Sequence, residues 1–128
     1  MPISSEVDKT RNLTIYTLIG STTIDEIHGA LKSFWEAHEL TLDLLWDTRS
    51  ATLKNLRISD IESIVTFIHQ YRNRFNERKR GKAAIVASTD LQYGLSRTLE
   101  ILFEIENFPN KLQSFRTMEE ANQWLSQR

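Results

Sequence analysis

Four times along this chain a short β-rich run is followed by Ser or Thr, then by Glu or Gln three residues on. An apolar stripe at helical spacing comes next. The pairs are Thr23 with Glu26, Ser59 with Glu62, Thr89 with Gln92 and Thr117 with Glu120. In such a capping box the hydroxyl accepts the N–H of the third helical residue, and the acid or amide accepts the N–H of the cap. Each cap contributes about 1 kcal/mol. One such pattern is commonplace. Four, each set between a strand-like run and a 3.6-residue stripe, predict alternating strands and helices.

The runs between the caps supply the strands. Residues 4–9 and 13–19 read as two strands joined by the polar turn Thr10-Arg11-Asn12. In the second, Leu13, Ile15 and Thr17 alternate with Thr14, Tyr16 and Leu18, the pattern of a sheet covered on both sides. Gly20-Ser21-Thr22 breaks that run. The first helix buries Ile24, Ile27, Leu31, Phe34 and Trp35 and runs out near His38. A dense apolar strand over 42–46 ends in Asp47, and residues 48–57 read as a loop. Ser59 then caps a helix whose stripe is Ile61, Ile64, Val65, Ile68, Tyr71 and Phe75. Gly81 closes a basic turn before a buried strand at 83–87. The third helix runs from Thr89 to about Glu106 and is ended by Phe108-Pro109-Asn110. A short strand at 111–115 precedes the last helix, which buries Met118, Ala121 and Leu125. The order β-β-α-β-α-β-α-β-α predicts an α/β fold. Its sheet of four or five strands is mostly parallel with right-handed crossovers, the first hairpin strand being antiparallel.

Composition narrows the class. At 128 residues the chain suits one domain spanning 1–128, burying roughly two-thirds of its unfolded surface. Sixteen basic residues against seventeen acidic ones leave no field to attract nucleic acid. Cys is absent, which excludes disulfides and thiolate chemistry. The N-terminus lacks a basic-then-apolar leader, and no apolar run reaches the roughly eighteen residues of a membrane span. A cytoplasmic protein is the default expectation.

Catalytic and metal chemistry find little support. His28, His38 and His69 form no pair at i, i+4, and no carboxylate completes a ligand set around them, so no metal or cofactor is expected. There is no Gly-x-Ser-x-Gly elbow, and the four glycines build no phosphate loop. The best polar constellation is positional, because ligands in open α/β sheets sit outside the carboxyl ends of the strands. Those ends present Asp47 and Arg49, then Ser88, Thr89 and Asp90, with Tyr93 and Arg97 on the next helix. Gly94 between them suggests close approach of a neighbour or ligand, since Gly inside a helix costs about 1 kcal/mol. The structural alternative is an Asp47–Arg97 ion pair across the sheet edge.

The third helix is apolar on more than one face. Leu91, Leu95, Leu99 and Leu102 make one stripe, while Tyr93, Ile101, Ile105 and Phe108 add surface elsewhere. Such a helix is deeply buried or covered. A homodimer, an apolar small ligand or a folded-over loop would each account for it, and Ile101, Ile105 and Phe108 are the expected interaction surface. The basic residues Arg72, Arg74, Arg78, Lys79, Arg80 and Lys82 read as a solvated helix end, favoured by the helix dipole. The sharper alternative is peripheral contact with an anionic membrane or a phosphorylated partner.

With this order of elements, the chain resembles the SpoIIAA-like group of STAS domains, the fold of anti-sigma-factor antagonists. The resemblance is carried by Leu-Asp-Leu-Leu-Trp-Asp ending at Asp47, by the strand at 82–86 and by Tyr93-Gly94-Leu95-Ser96-Arg97. The closing segment from Phe115 to Trp124-Leu125 adds to it. It implies a non-enzymatic module for protein interaction or ligand binding. It also implies a kinship to Sec14-type lipid carriers, which would give the third helix's apolar surface a use. Antagonists of this fold are switched by phosphorylation of a Ser after the Asp-ended strand, which here corresponds to Ser59. The usual Asp-Ser-Ser-Gly run is replaced by Arg57-Ile58-Ser59-Asp60. A phosphate beside Asp60 and Glu62 would meet like charge. Two functions follow as expectations: a homodimeric module that binds an apolar or amphipathic ligand or a protein beside the third helix, and a regulator that switches partners at Ser59.

Overall fold

The computed structural model describes residues 3–78 and 80–127. The chain begins with a hairpin, β1 (Ile3–Asp8) and β2 (Leu13–Ser21), followed by α1 (Ile24–Trp35) and β3 (Asp43–Thr52). Next come α2 (Ile58–His69), a 3₁₀ helix (Arg72–Arg78), β4 (Lys82–Val86) and α3 (Asp90–Ile105). The chain closes with β5 (Lys111–Phe115) and α4 (Met118–Ser126). The five strands form one sheet in the order β1-β2-β3-β4-β5, with β1 antiparallel to β2 and all other pairs parallel. The predicted fold class is the one observed.

Local chemistry sets the element ends. Thr23 and Thr89 form complete capping boxes with Glu26 and Gln92, and Thr117 accepts the Glu120 N–H. The second helix starts two residues earlier than the cap pattern predicts. Arg57 is its N-cap and donates its N–H to the Asp60 carboxylate at 2.8 Å, which leaves Ser59 exposed within the first turn. At its far end the helix stops at His69, and Tyr71 and Phe75 reach the core from the 3₁₀ helix instead. α1 also ends early, at Trp35, because Arg74 donates to the Trp35 and Ala37 carbonyls at 2.8 and 2.6 Å. Those orphaned carbonyls would otherwise need water.

Two strand ends differ from the sequence reading for one reason. Residues 48–52 continue β3, and Gly20 and Ser21 continue β2, because the two strands pair beyond their apolar stretches. An extra residue on β3 between the Thr17–Asp47 and Ile19–Ser50 pairs makes a bulge, and Gly20 takes a positive φ of 71°. Backbone pairing of this kind leaves no trace in hydropathy.

The helices divide unequally between the faces. α1, α2, the 3₁₀ helix and α3 cover one face with a core that includes Leu31, Trp35, Ile64, Phe75 and Leu95. α4 alone covers the other, setting Ala121 and Leu125 against Leu13, Leu45, Ala84 and Val86. This second face is therefore only partly covered, and Ile19 on β2 stays exposed. Among the described residues no helix is long and apolar enough to cross a membrane.

Candidate ligand-binding site

The polar residues at the carboxyl ends of the strands are held in separate local pairs. Arg49 grips the Asp47 carboxylate in bidentate fashion, with Nε–Oδ1 and Nη2–Oδ2 both at 2.9 Å, and its N–H adds a bond of 3.1 Å. Burial pushes the Asp47 carboxyl upward, but these Arg49 contacts outweigh it and hold the group below the usual carboxylate range. Arg97 turns instead to Glu100 at 2.6 Å. The Asp47–Arg97 pair, the structural alternative to a ligand site, is therefore not formed. Each arginine finds a carboxylate two or three residues along its own element.

A second group lies at the start of α3. Asp90 pairs with Arg116 at 3.0 Å, and the Arg116 guanidinium lies 4.3 Å from the centre of the Tyr93 ring. The Ser88 carbonyl also accepts from Arg116, and the Gln92 amide oxygen accepts the Ser88 and Thr89 N–H groups. The structure thus brings Ser88, Asp90 and Tyr93 together around Arg116, a residue the sequence reading did not single out. Gly94 is exposed, and a Cβ there would meet nothing, so close approach does not explain it.

Gln92, Ser96 and Glu100 are the buried polar side chains of α3, and all three serve the backbone, Ser96 by donating to the Gln92 carbonyl at 2.8 Å. Gln92 donates to the Ala51 carbonyl at 3.0 Å, tying the helix to the extended end of β3. Glu100 accepts the Ser114 N–H at 3.0 Å and so covers an N–H of the sheet's outer strand β5.

The expected interaction surface separates into two parts. Ile101 and Ile105 are exposed, the latter at 65%. Phe108 is instead buried, packed against Phe75, Phe103 and His69 with Arg72 over its ring. The reason is that the chain turns back at Asn107, whose φ is 56°, and folds Phe108 under the 3₁₀ helix.

The basic run is solvated only in part, with Arg72 exposed. Arg74 serves α1 as described, and Lys82 donates to the Trp124 and Gln127 carbonyls over the Trp124 ring. Arg80 is exposed, and Lys79 lies outside the described residues. Arg78 is the exception that matters. Its side chain enters the core and is only 2% exposed. The Nε donates to the Thr41 carbonyl at 3.0 Å, and the guanidinium carbon lies 4.9 and 5.4 Å from the Phe34 and Trp35 rings. Its Nη2 has no hydrogen-bond partner among the described residues. Burial lowers its pKa to about 10, against the opposing pull of the Asp43 charge, so it stays protonated at neutral pH.

Arg78 forms part of the wall of a cavity of about 110 Å³ between the sheet and the helices of the first face. The rest of the lining is almost wholly apolar, with Leu31, Ile64, Ile85, Leu95, Leu99 and Phe103 prominent. Two small residues on its wall, Ala83 of β4 and Ser96 of α3, leave room that larger side chains would fill. Trp46, Leu56, Leu99 and Phe103 are only partly buried, so the wall thins towards solvent there. Gly81 fixes the approach of the strand that carries Ala83, since a Cβ on it would lie 2.1 Å from the Leu42 carbonyl oxygen.

No family model and no curated protein matches the chain. A solved structure does. It is an uncharacterised protein of the DUF3478 family from Shewanella loihica PV-4, which has a SpoIIAA-like fold. It is 17% identical to this chain, and the superposition has a TM-score of 0.57 over 96% of this chain and 91% of that one. The fold is SpoIIAA-like. The SpoIIAA-like sheet and its helices thus surround an apolar cavity with the buried Arg78 in its wall.

Proposed function

We propose that this chain is a non-enzymatic binding module that takes a small apolar or amphipathic ligand between α3 and the sheet. The observation that supports the reading is the apolar cavity itself. Close-packed interiors leave few voids larger than a water molecule. An apolar cavity of about 150 Å³ is enough to stay dry and take up benzene, and this one, at about 110 Å³, approaches that size. Leu95, Leu99 and Phe103 line it, which gives the excess apolar surface of α3 an inward use.

Benzene itself is the first test. Benzene-saturated buffer should raise the thermal unfolding midpoint by mass action. Ala83→Leu, which fills the cavity, should abolish the shift while the protein stays folded; Ser96→Leu serves if the first variant does not fold. No shift in the unsubstituted protein, or an equal shift in a folded filled variant, would contradict the reading.

A further inference from the structure

Arg78, the one charged group among the described residues that line the cavity, gives the ligand a chemistry. A buried guanidinium with an unused donor is an anomaly, because nearly all buried polar groups are partnered and each exception asks for an explanation. Arg78 meets Thr41 through Nε and two aromatic rings through its face, while Nη2 meets nothing among the described residues. The Nε bond and the rings fix where the guanidinium lies, and Arg78 is among the residues that line the cavity. An anion placed there would gain a charge-assisted hydrogen bond in surroundings where such bonds are strong.

We propose that the cavity binds a small monocarboxylate, its aromatic or short alkyl body among the Leu95, Leu99 and Phe103 side chains and its carboxylate on the Arg78 guanidinium. A singly charged head is favoured over a phosphate dianion because the site offers one cation, already biased by the Asp43 carboxylate nearby. A short body is favoured by the volume of about 110 Å³. The proposal rests on the cavity reading above and adds the head group to it.

Benzoate and benzyl alcohol, which share the ring and differ in charge, separate the two claims. Isothermal titration of the unsubstituted protein should show benzoate binding at least about tenfold more tightly than the alcohol, the scale of one charge-assisted bond. Arg78→Met should remove that preference and leave the affinity for benzyl alcohol within about twofold, since its ring contacts are kept. If the Met variant does not fold, Arg78→Gln keeps a donor without the charge and carries the same test. Equal affinities for the two compounds, or a preference that survives loss of Arg78, would overturn the carboxylate assignment and leave the cavity reading standing. Failure of both compounds and of benzene to bind would overturn both.

Discussion

The two ends of the sheet handle charge in opposite ways. At the carboxyl end every charge singled out from the sequence is matched by a neighbour: Asp47 by Arg49, Arg97 by Glu100, Asp90 by Arg116. At the amino end Arg78 is carried under the aromatic rings of α1 with its Nη2 unpartnered among the described residues. The first arrangement is that of an exposed rim whose charges are neutralised locally. The second carries a desolvation penalty that its Thr41 contact offsets only in part. General experience with open α/β sheets directs attention to the carboxyl end. In this chain the buried charge with an unpartnered nitrogen lies at the other, although Ser114 Oγ near the carboxyl end of β5 is also buried without a partner among the described residues.

Four substitutions can break or sharpen that contrast. Gly81→Ala should have the largest effect, because the added Cβ would run into the Leu42 carbonyl and push β4 away from β3. A loss of about 3 kcal/mol or more is expected from a clash with backbone that cannot yield, measured by urea unfolding. A loss under about 1 kcal/mol would mean that the amino end is looser than described.

Arg78→Met should hold stability or raise it by up to about 2 kcal/mol, because replacing a poorly compensated buried charge with an apolar residue of similar volume is often neutral or favourable. The sign distinguishes a binding group from a structural one. A loss of about 3 kcal/mol in thermal or urea unfolding would mark Arg78 as part of the framework.

At the opposite end, Asp47→Asn should cost about 1 kcal/mol, the scale of a partly buried charge-assisted pair. The sign of its pH dependence follows from the lowered native pKa. The contribution is fully present above the unfolded value of about 3.9, and it is lost as pH falls through the native one. Unfolding curves of the two proteins should therefore converge in acid. A constant gap would show that the pair does not act through ionisation. Asp90→Asn should have the smallest effect, under about 0.5 kcal/mol, because the Asp90 side chain is 98% exposed. A larger loss would mean that the Arg116 cluster is a built site.

How far the sequence foretold this follows the range of the interactions. The caps at Thr23, Thr89 and Thr117 and the five strands are local, and they were legible as hydroxyl-to-acid spacing and alternating hydropathy. The start of α2 was misplaced because Asp60 serves the Arg57 N–H as well as Glu62 could have served Ser59, and spacing cannot choose between overlapping patterns. The extension of β3 rests on pairing with β2, which polar residues such as Arg49 and Ser50 disguise. Arg78 was illegible for a deeper reason. Within a run of basic residues nothing local separates the side chain that turns inward from those that stay outside. Only the docking of the 3₁₀ helix against α1 makes the choice. A faint signal existed in the seven-residue interval from Tyr71 through Phe75 to Arg78, where two buried aromatics precede the arginine on one side of the chain.

The contrast between the two ends is tested most directly by mapping where benzoate binds. Backbone amide shifts recorded by NMR during a benzoate titration should move at Ala83, Ser96, Leu99 and Phe103 and in the 3₁₀ helix around Arg78. The residues from Ser88 to Tyr93 and Arg116 should stay still. Shifts confined to Ser88–Tyr93 and Arg116, with the cavity residues unmoved, would place the site at the carboxyl end and contradict the account.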